Sequence, residues 1–201
     1  MFFQKIKSRK PKTPVIRAFL AVDVPASLRP VLSWAQDELK KSGADVKWVP
    51  VGNIHITLKF FGNITNTQVA DIAEAVTALA ASQEPFTLTI TDAGAFPSPK
   101  SPRVVWLGVG GDLEILLAFY RRLETACAAL GFPPEDRPFS PHLTLGRVKS
   151  PAGRTALTQC LAYLPPPEAP PFQVNEIVLF RSQLSPQGST YLPLKVIPLG
   201  G

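Results

Sequence analysis

The chain holds only two histidines, and both fall in the same short pattern. His55 and Thr57 stand two apart in IHITLKF at 54–60. His142 and Thr144 stand two apart in PHLTLGR at 141–147, 87 positions further on. Imidazole titrates near neutral pH without help, so one histidine can take a proton while another gives one. Two such groups on opposite sides of a substrate suit in-line displacement at phosphorus. One deprotonates the attacking oxygen and the other protonates the leaving oxygen. Each threonine hydroxyl is a neutral donor suited to a non-bridging phosphate oxygen. A single His-x-Thr reads as a surface or satisfied core pair, whereas two copies that use up every histidine read as an active site.

Other chemistries find less support. Two histidines without Asp, Glu or Cys beside them make a poor zinc ligand set, so neither a metal nor another cofactor is expected. Cys127 and Cys160 lie far apart in helix-like stretches, and no G-x-S-x-G elbow occurs, which leaves a Ser or Cys nucleophile unsupported. Two such cysteines fit buried thiols in a reducing compartment.

Strands are the elements that must position these groups. In a strand, side chains i and i+2 share a face. His55 and Thr57 then share one face while Ile54, Ile56 and Leu58 take the other. His142 and Thr144 oppose Leu143 and Leu145 in the same way. The apolar face packs under helices, and the His/Thr face must look into a cleft, because burying it unpaired costs a few kcal/mol, of the order of 2–7. Five residues after each histidine stand Phe60 and Arg147. An arginine there could fork onto phosphate, and an aromatic could stack on a base. Strand parity sends both to the apolar face. Gly146 could allow a bulge that re-aims Arg147, but Phe60 has no such neighbour, so core and stacking readings both stay open for it.

Around the two motifs the chain alternates strand and helix patterns. VIRAFLAVDVP reads as a buried strand, SLRPVLSWAQDELKKSG as a helix stopped by Gly43, DVKWV as a short strand, and 54–61 as a strand closed by Gly62. NTQVADIAEAVTALAAS reads as a helix capped by Asn66 or Thr67. FTLTITDAGAF and RVVWLGV read as strands separated by a PSPKSP loop. A helix at 112–130, capped by Asp112, buries Leu113, Leu116, Leu117, Tyr120, Leu123, Ala126 and Cys127. The strand HLTLGRV, a shorter helix at about 152–163, a Pro-rich linker at 165–171, and the strands QVNEIVLFRSQL and TYLPLKVIP complete the chain. Interleaved helices and paired strands predict an α+β fold.

At 201 residues and 45% hydrophobic, the chain suits one compact domain that needs no disulfide. The net charge of +6 is concentrated in Lys5, Lys7, Arg9, Lys10 and Lys12. Residues 1–14 are expected to be a basic disordered arm, solvated or touching phosphates, ahead of a single domain at 15–201, compact or built from two lobes. No stretch is apolar enough to span a membrane. The expectation is a cytoplasmic protein, monomeric by default, with no membrane partner.

These residues resemble the 2H phosphoesterases, and within them the RNA 2′,3′-cyclic phosphodiesterases, also called 2′-5′ RNA ligases. The likeness runs from about residue 16 through RAFLAVDVP, KWVPVGNIHITLKFFGNI, RPFSPHLTLGRV and LFRSQLSPQGSTYLPL. It implies two pseudo-symmetric lobes, each an antiparallel sheet with outer helices, around a central cleft. It implies metal-independent hydrolysis of RNA 2′,3′-cyclic phosphate ends to 2′-phosphomonoesters, with reversible 2′-5′ joining of RNA ends. By position, His55 and His142 become the acid/base pair, Thr57, Thr144 and Arg147 bind phosphate, and Phe60 contacts a base. Which histidine is the acid does not follow from the sequence. A phosphodiesterase for small cyclic nucleotides and a non-catalytic module that clamps RNA ends are the alternatives.

Overall fold

The computed structural model describes residues 15–185 and 188–200, and the basic stretch 1–14 lies outside them. In chain order the elements are β1 (Ile16–Asp23), α1 (Arg29–Lys40), β2 (Val46–Trp48), β3 (His55–Ile64), α2 (Asn66–Ala80), β4 (Phe86–Ser98) and β5 (Ser101–Gly111). Then come α3 (Leu113–Ala129), β6 (His142–Val148), α4 (Arg154–Tyr163), β7 (Phe172–Val174), β8 (Glu176–Ser185) and β9 (Gly188–Pro198). All recorded strand pairs are antiparallel, in the order β7-β4-β5-β6-β3-β1-β8-β9, with β2 beside β6.

The α+β class follows the sequence pattern, and the two lobes follow what the resemblance implies. One lobe is built on β3, β1, β8 and β9, the other on β6, β5, β4 and β7. One face of the sheet is apolar and lies under the helices. Ala18, Leu20, Ile56, Leu58, Leu143 and Leu145 join Leu32 of α1, Ile72 of α2, Phe119 of α3 and Leu157 of α4 in one buried cluster. None of the described helices is long and apolar enough to cross a membrane.

Several boundaries differ from the sequence reading. Neither Asn66 nor Thr67 caps α2. Thr65 does, accepting from the Gln68 amide at 3.2 Å while the Gln68 side chain accepts from the Thr65 N–H at 2.9 Å. That reciprocal box satisfies two otherwise orphaned amides. Asp112 does stand at the N-cap of α3, with its carbonyl accepting from the Leu116 N–H at 3.1 Å, but its side chain makes no capping hydrogen bond to the helix. Its carboxylate accepts from the Thr87 N–H at 2.8 Å and so ties the start of α3 to β4. On α3, Phe119 and Glu124 are buried, whereas Leu113, Leu117 and Ala126 are only half-buried. Gly62 does not end β3 but lies inside it at φ 71°, opposite Ala18. The PSPKSP stretch is mostly strand, because Pro97 pairs with Pro102 and Ser98 with Ser101. Prolines are tolerated there because β7 covers β4 only at Phe86–Leu88, which leaves the far end of β4 an edge.

The run QVNEIVLFRSQL is two strands. β7 joins β4 at one end of the strand order, while β8 joins β1 near the other. Only Asn175 separates them, and one residue reaches less than about 4 Å. Six strand steps at about 4.8 Å each would be far wider in a flat sheet, so the sheet must roll until its two ends approach.

Candidate active site

β3 and β6, which carry the two motifs, share a single ladder pair, Ile56 opposite Leu143. Antiparallel register about that pair sets His55 across from Thr144 and Thr57 across from His142. Beyond it β6 pairs with β2 instead of β3, from Gly146–Trp48 to Val148–Val46. The two halves of the sheet therefore share one ladder pair and part on either side of it, which opens a cleft on the His/Thr face.

The parity problem at Phe60 and Arg147 is solved the same way in both lobes. Along β1, Ala21 faces Thr57 and Leu20 faces Lys59, so Leu58 is an extra residue. Along β5, Trp106 faces Thr144 and Val105 faces Gly146, so Leu145 is extra. Each bulge falls three residues after its histidine and buries two consecutive residues, Leu58 and Lys59 in one lobe, Leu145 and Gly146 in the other. The next residue is thrown back to the cleft face. Phe60 is accordingly 42% exposed, and the core reading of it is overturned. Its bulge needs no glycine. Gly146 serves a different purpose, because a Cβ there would come within 2.5 Å of Val46 and 2.9 Å of Trp48.

A cavity of about 380 Å³ is lined by His55, Thr57, Phe60, Thr144 and Arg147. An adjoining one of about 340 Å³ shares Thr57 and Phe60 with it and is lined by His142. The six residues singled out in the sequence thus line two contiguous spaces. Among the described residues no three His, Cys, Asp or Glu side chains converge as a ligand set.

Both imidazoles are held alike. His55 Nδ1 lies 2.8 Å from the Asn53 carbonyl, and His142 Nδ1 lies 2.7 Å from the Ser140 carbonyl. A carbonyl only accepts, so each Nδ1 carries the proton and each Nε2 is left as the titrating nitrogen. His55 stacks on Phe19 at 4.7 Å and meets Tyr191 edge-on at 5.3 Å. His142 meets Phe96 edge-on at 4.9 Å, with Trp106 at 6.4 Å. Burial lowers both pKa values from the usual 6.5, against the opposing pull of the carbonyls.

The charges around them differ. Asp23 is the cross-strand partner of His55 and favours its charged form, whereas the neighbouring His142 disfavours it. The equivalent partner of His142 is Gly108, where a Cβ would collide with Thr91 Oγ1. Arg147 instead disfavours the charged form of His142.

Sequence reasoning largely misses the supporting residues. Asn53, which carries no evident role in the sequence, orients His55 with its carbonyl and donates its side-chain N–H to the Ser189 carbonyl at 2.7 Å. Buried Gln36 donates to the Val49 and Leu145 carbonyls at 2.7 and 2.9 Å, which braces the second bulge. Lys59, 2% exposed, meets Glu124 at 2.8 Å and donates to the Pro133 carbonyl at 2.7 Å. Glu124 also accepts from the Glu135 N–H at 2.9 Å. This pair binds the first motif's strand to the loop that leads to Ser140 and His142. In the same loop Phe139 stacks on Tyr120 at 4.0 Å. Burial pushes the Tyr120 hydroxyl up to about 12 and the Cys127 thiol up to about 11, so both stay neutral. A period-2 or period-3.6 pattern carries no signal for any of these long-range partners.

A rolled α+β sheet in two pseudo-symmetric lobes, with a His-x-Thr pair from each facing one cleft, defines the 2H phosphoesterase class. Residues 27–185 match the 2′-5′ RNA ligase superfamily, and the chain belongs to it. The RNA 2′,3′-cyclic phosphodiesterase of Methanothermobacter thermautotrophicus is 41% identical over 92% of this chain and 99% of its own. That of Escherichia coli is 32% identical over 89% and 94%. Among solved structures, TT0787 of Thermus thermophilus aligns with a TM-score of 0.77 at 29% identity, covering 92% and 99% of the two chains. Escherichia coli LigT complexed with 3′-AMP aligns at 0.73 and 30%, covering 94% and 100%.

Proposed function

We propose that this chain hydrolyses RNA 2′,3′-cyclic phosphate ends to 2′-phosphomonoesters by acid/base catalysis between His55 and His142, without a metal. The observation that carries the reading is the crossed register, in which each histidine lies opposite the other motif's threonine across a cleft. The names of its relatives point to the same reaction.

Both imidazoles present Nε2, so a cyclic phosphate seated between them meets one proton acceptor and one donor in line. Their charged neighbours distinguish them. Burial favours the neutral form of both; Asp23 opposes it at His55, whereas Arg147 reinforces it at His142. His142 therefore takes the proton of the attacking water. The new P–O bond forms as the bond from phosphorus to O3′ breaks, and His55 delivers its proton to O3′. The products are a 2′-phosphate and a 3′-hydroxyl. Thr57, Thr144 and Arg147 hold the non-bridging oxygens, whose charge grows in the transition state. Phe60 offers a face to a base, shared with the Arg17 guanidinium 4.5 Å from its ring centre. A 5′-hydroxyl of RNA in the place of water makes a 2′-5′ linkage through the same steps.

The test is incubation of chelator-treated protein with an oligoribonucleotide ending in a 2′,3′-cyclic phosphate. The expected product is the 2′-phosphate, lost in His55→Ala and His142→Ala. Turnover that needs added metal, or that survives either substitution, would overturn the mechanism.

A further inference from the structure

The main cleft continues at one side into a second groove of about 550 Å³, and the two share Arg17, Ser182 and Leu184. We propose that this groove binds the RNA chain on the 5′ side of the cyclic phosphate, so that the preferred substrate is an oligoribonucleotide and not a cyclic mononucleotide. The proposal rests on the main cleft being the cyclic phosphate site.

The chemistry of the walls supports a polyanion. Arg147 and Arg17 line the cleft, and Arg17 and Arg181 line the groove, so guanidinium groups mark the whole path. Among the described residues none of the three is ion-paired, and no carboxylate lines either space. The cavity behind His55 has acidic walls, Asp23 and Glu176, with no Lys or Arg, and the one beside His142 sets Glu135 against Arg137 and Lys59. An anionic chain is therefore repelled behind His55, meets mixed charge beside His142, and finds guanidinium groups without carboxylates only along this groove. The groove also has hydroxyls at Ser182 and Thr190 that can meet phosphate or ribose oxygens. Leu184, 69% exposed, offers an apolar surface to a base. Val15 is a wall of the groove, and five basic residues precede it in the sequence, from Lys5 to Lys12.

A mononucleotide fills only the cleft, whereas an oligomer adds phosphates along the groove. The experiment compares kcat/KM for a 2′,3′-cyclic mononucleotide and a hexanucleotide with the same terminal base, over a salt series, in the wild type and Arg181→Gln. The wild type is expected to favour the hexamer by at least about tenfold, the worth of one charge-assisted contact. Two added phosphate contacts make the hexamer's log–log salt slope steeper by about 1.4. Arg181→Gln is expected to cut the hexamer rate several-fold more than the mononucleotide rate. A hexamer no better than the mononucleotide, or equal losses on both, would overturn the proposal. Anisotropy with a labelled hexamer ending in a 2′-phosphate reads the groove without turnover. Binding there that ignores length and Arg181 overturns the groove, whereas failed turnover with length-dependent binding overturns only the catalytic reading.

Discussion

The two lobes repeat one geometry and fill it with different chemistry. Each has a histidine tied through Nδ1 to the carbonyl two residues back, an aromatic bed, and a bulge three residues on. Yet Asp23 faces His55 where Gly108 faces His142. Phe60 stands where Arg147 stands, and buried Lys59 where Gly146 stands. In the proposed mechanism the repeated backbone aims two histidines at one phosphorus, while Asp23 pulls His55 toward its charged form and Arg147 pushes His142 away from it.

The largest test of that comparison removes one histidine at a time. His55→Ala and His142→Ala are each expected to lower kcat by about 10²–10⁴, as for loss of a positioned acid or base. Single-turnover rates on a cyclic-phosphate oligomer check this, and a tenfold or smaller loss in either would show that the halves are not both used.

The bulges come next. Lys59→Met strands Glu124 in the core and is expected to destabilise by about 3–5 kcal/mol. Gly146→Ala at the matching position crowds Val46 and Trp48 and costs about 1–3 kcal/mol. Urea unfolding measures both, and equal losses would argue against an ionic brace in one lobe and a steric one in the other. Restoring stability in the Lys59→Met/Glu124→Leu double variant separates the stranded charge from lost packing.

Thr57→Ala and Thr144→Ala are expected to lower kcat by similar factors, each at most about 10²–10³, the worth of one transition-state donor. The pseudo-twofold arrangement makes near-equality the point to check.

The smallest effects lie in pH. Burial lowers both histidine pKa values, so the bell in kcat/KM is expected on the acid side of neutrality, both limbs reporting groups lowered from 6.5. Asp23→Asn removes a charge that raises His55, and moves its limb to lower pH. Arg147→Gln removes one that lowers His142, and moves the other limb up. Limbs that move together would contradict the charge asymmetry. Because the folded state disfavours the imidazolium, the unfolded chain binds more protons below the usual 6.5, and this contribution to stability is lost as pH falls through that window.

The strongest sequence signals are local and periodic. Alternation places His55 and Thr57 opposite Ile54, Ile56 and Leu58, and the structure buries those three apolar side chains. The long α3 and the stop at Gly43 are visible from 3.6-residue spacing and one glycine, whose φ is 64°. The α2 cap is harder to place, because Asn66 and Thr67 satisfy the same preference as Thr65, which lies one residue earlier and does the capping. The re-aimed Phe60 is not visible, since a bulge is a property of two paired strands. The split of QVNEIVLFRSQL is hidden for a related reason. Both halves alternate as strands, and only the rolled sheet separates their partners.

By itself, the sequence determined that two His-x-Thr pairs lie on strand faces turned away from the core, because side-chain alternation follows from backbone geometry alone. It also determined the helices that cover the opposite face. Tertiary structure alone decided that those pairs meet in crossed register across one cleft. It placed Asp23 beside His55 and Arg147 beside His142, and it closed Lys59 onto Glu124. The physical reason is range. Alternation and capping act over two to four residues, whereas register, bulges and buried ion pairs join positions tens of residues apart and exist only once the sheet has formed.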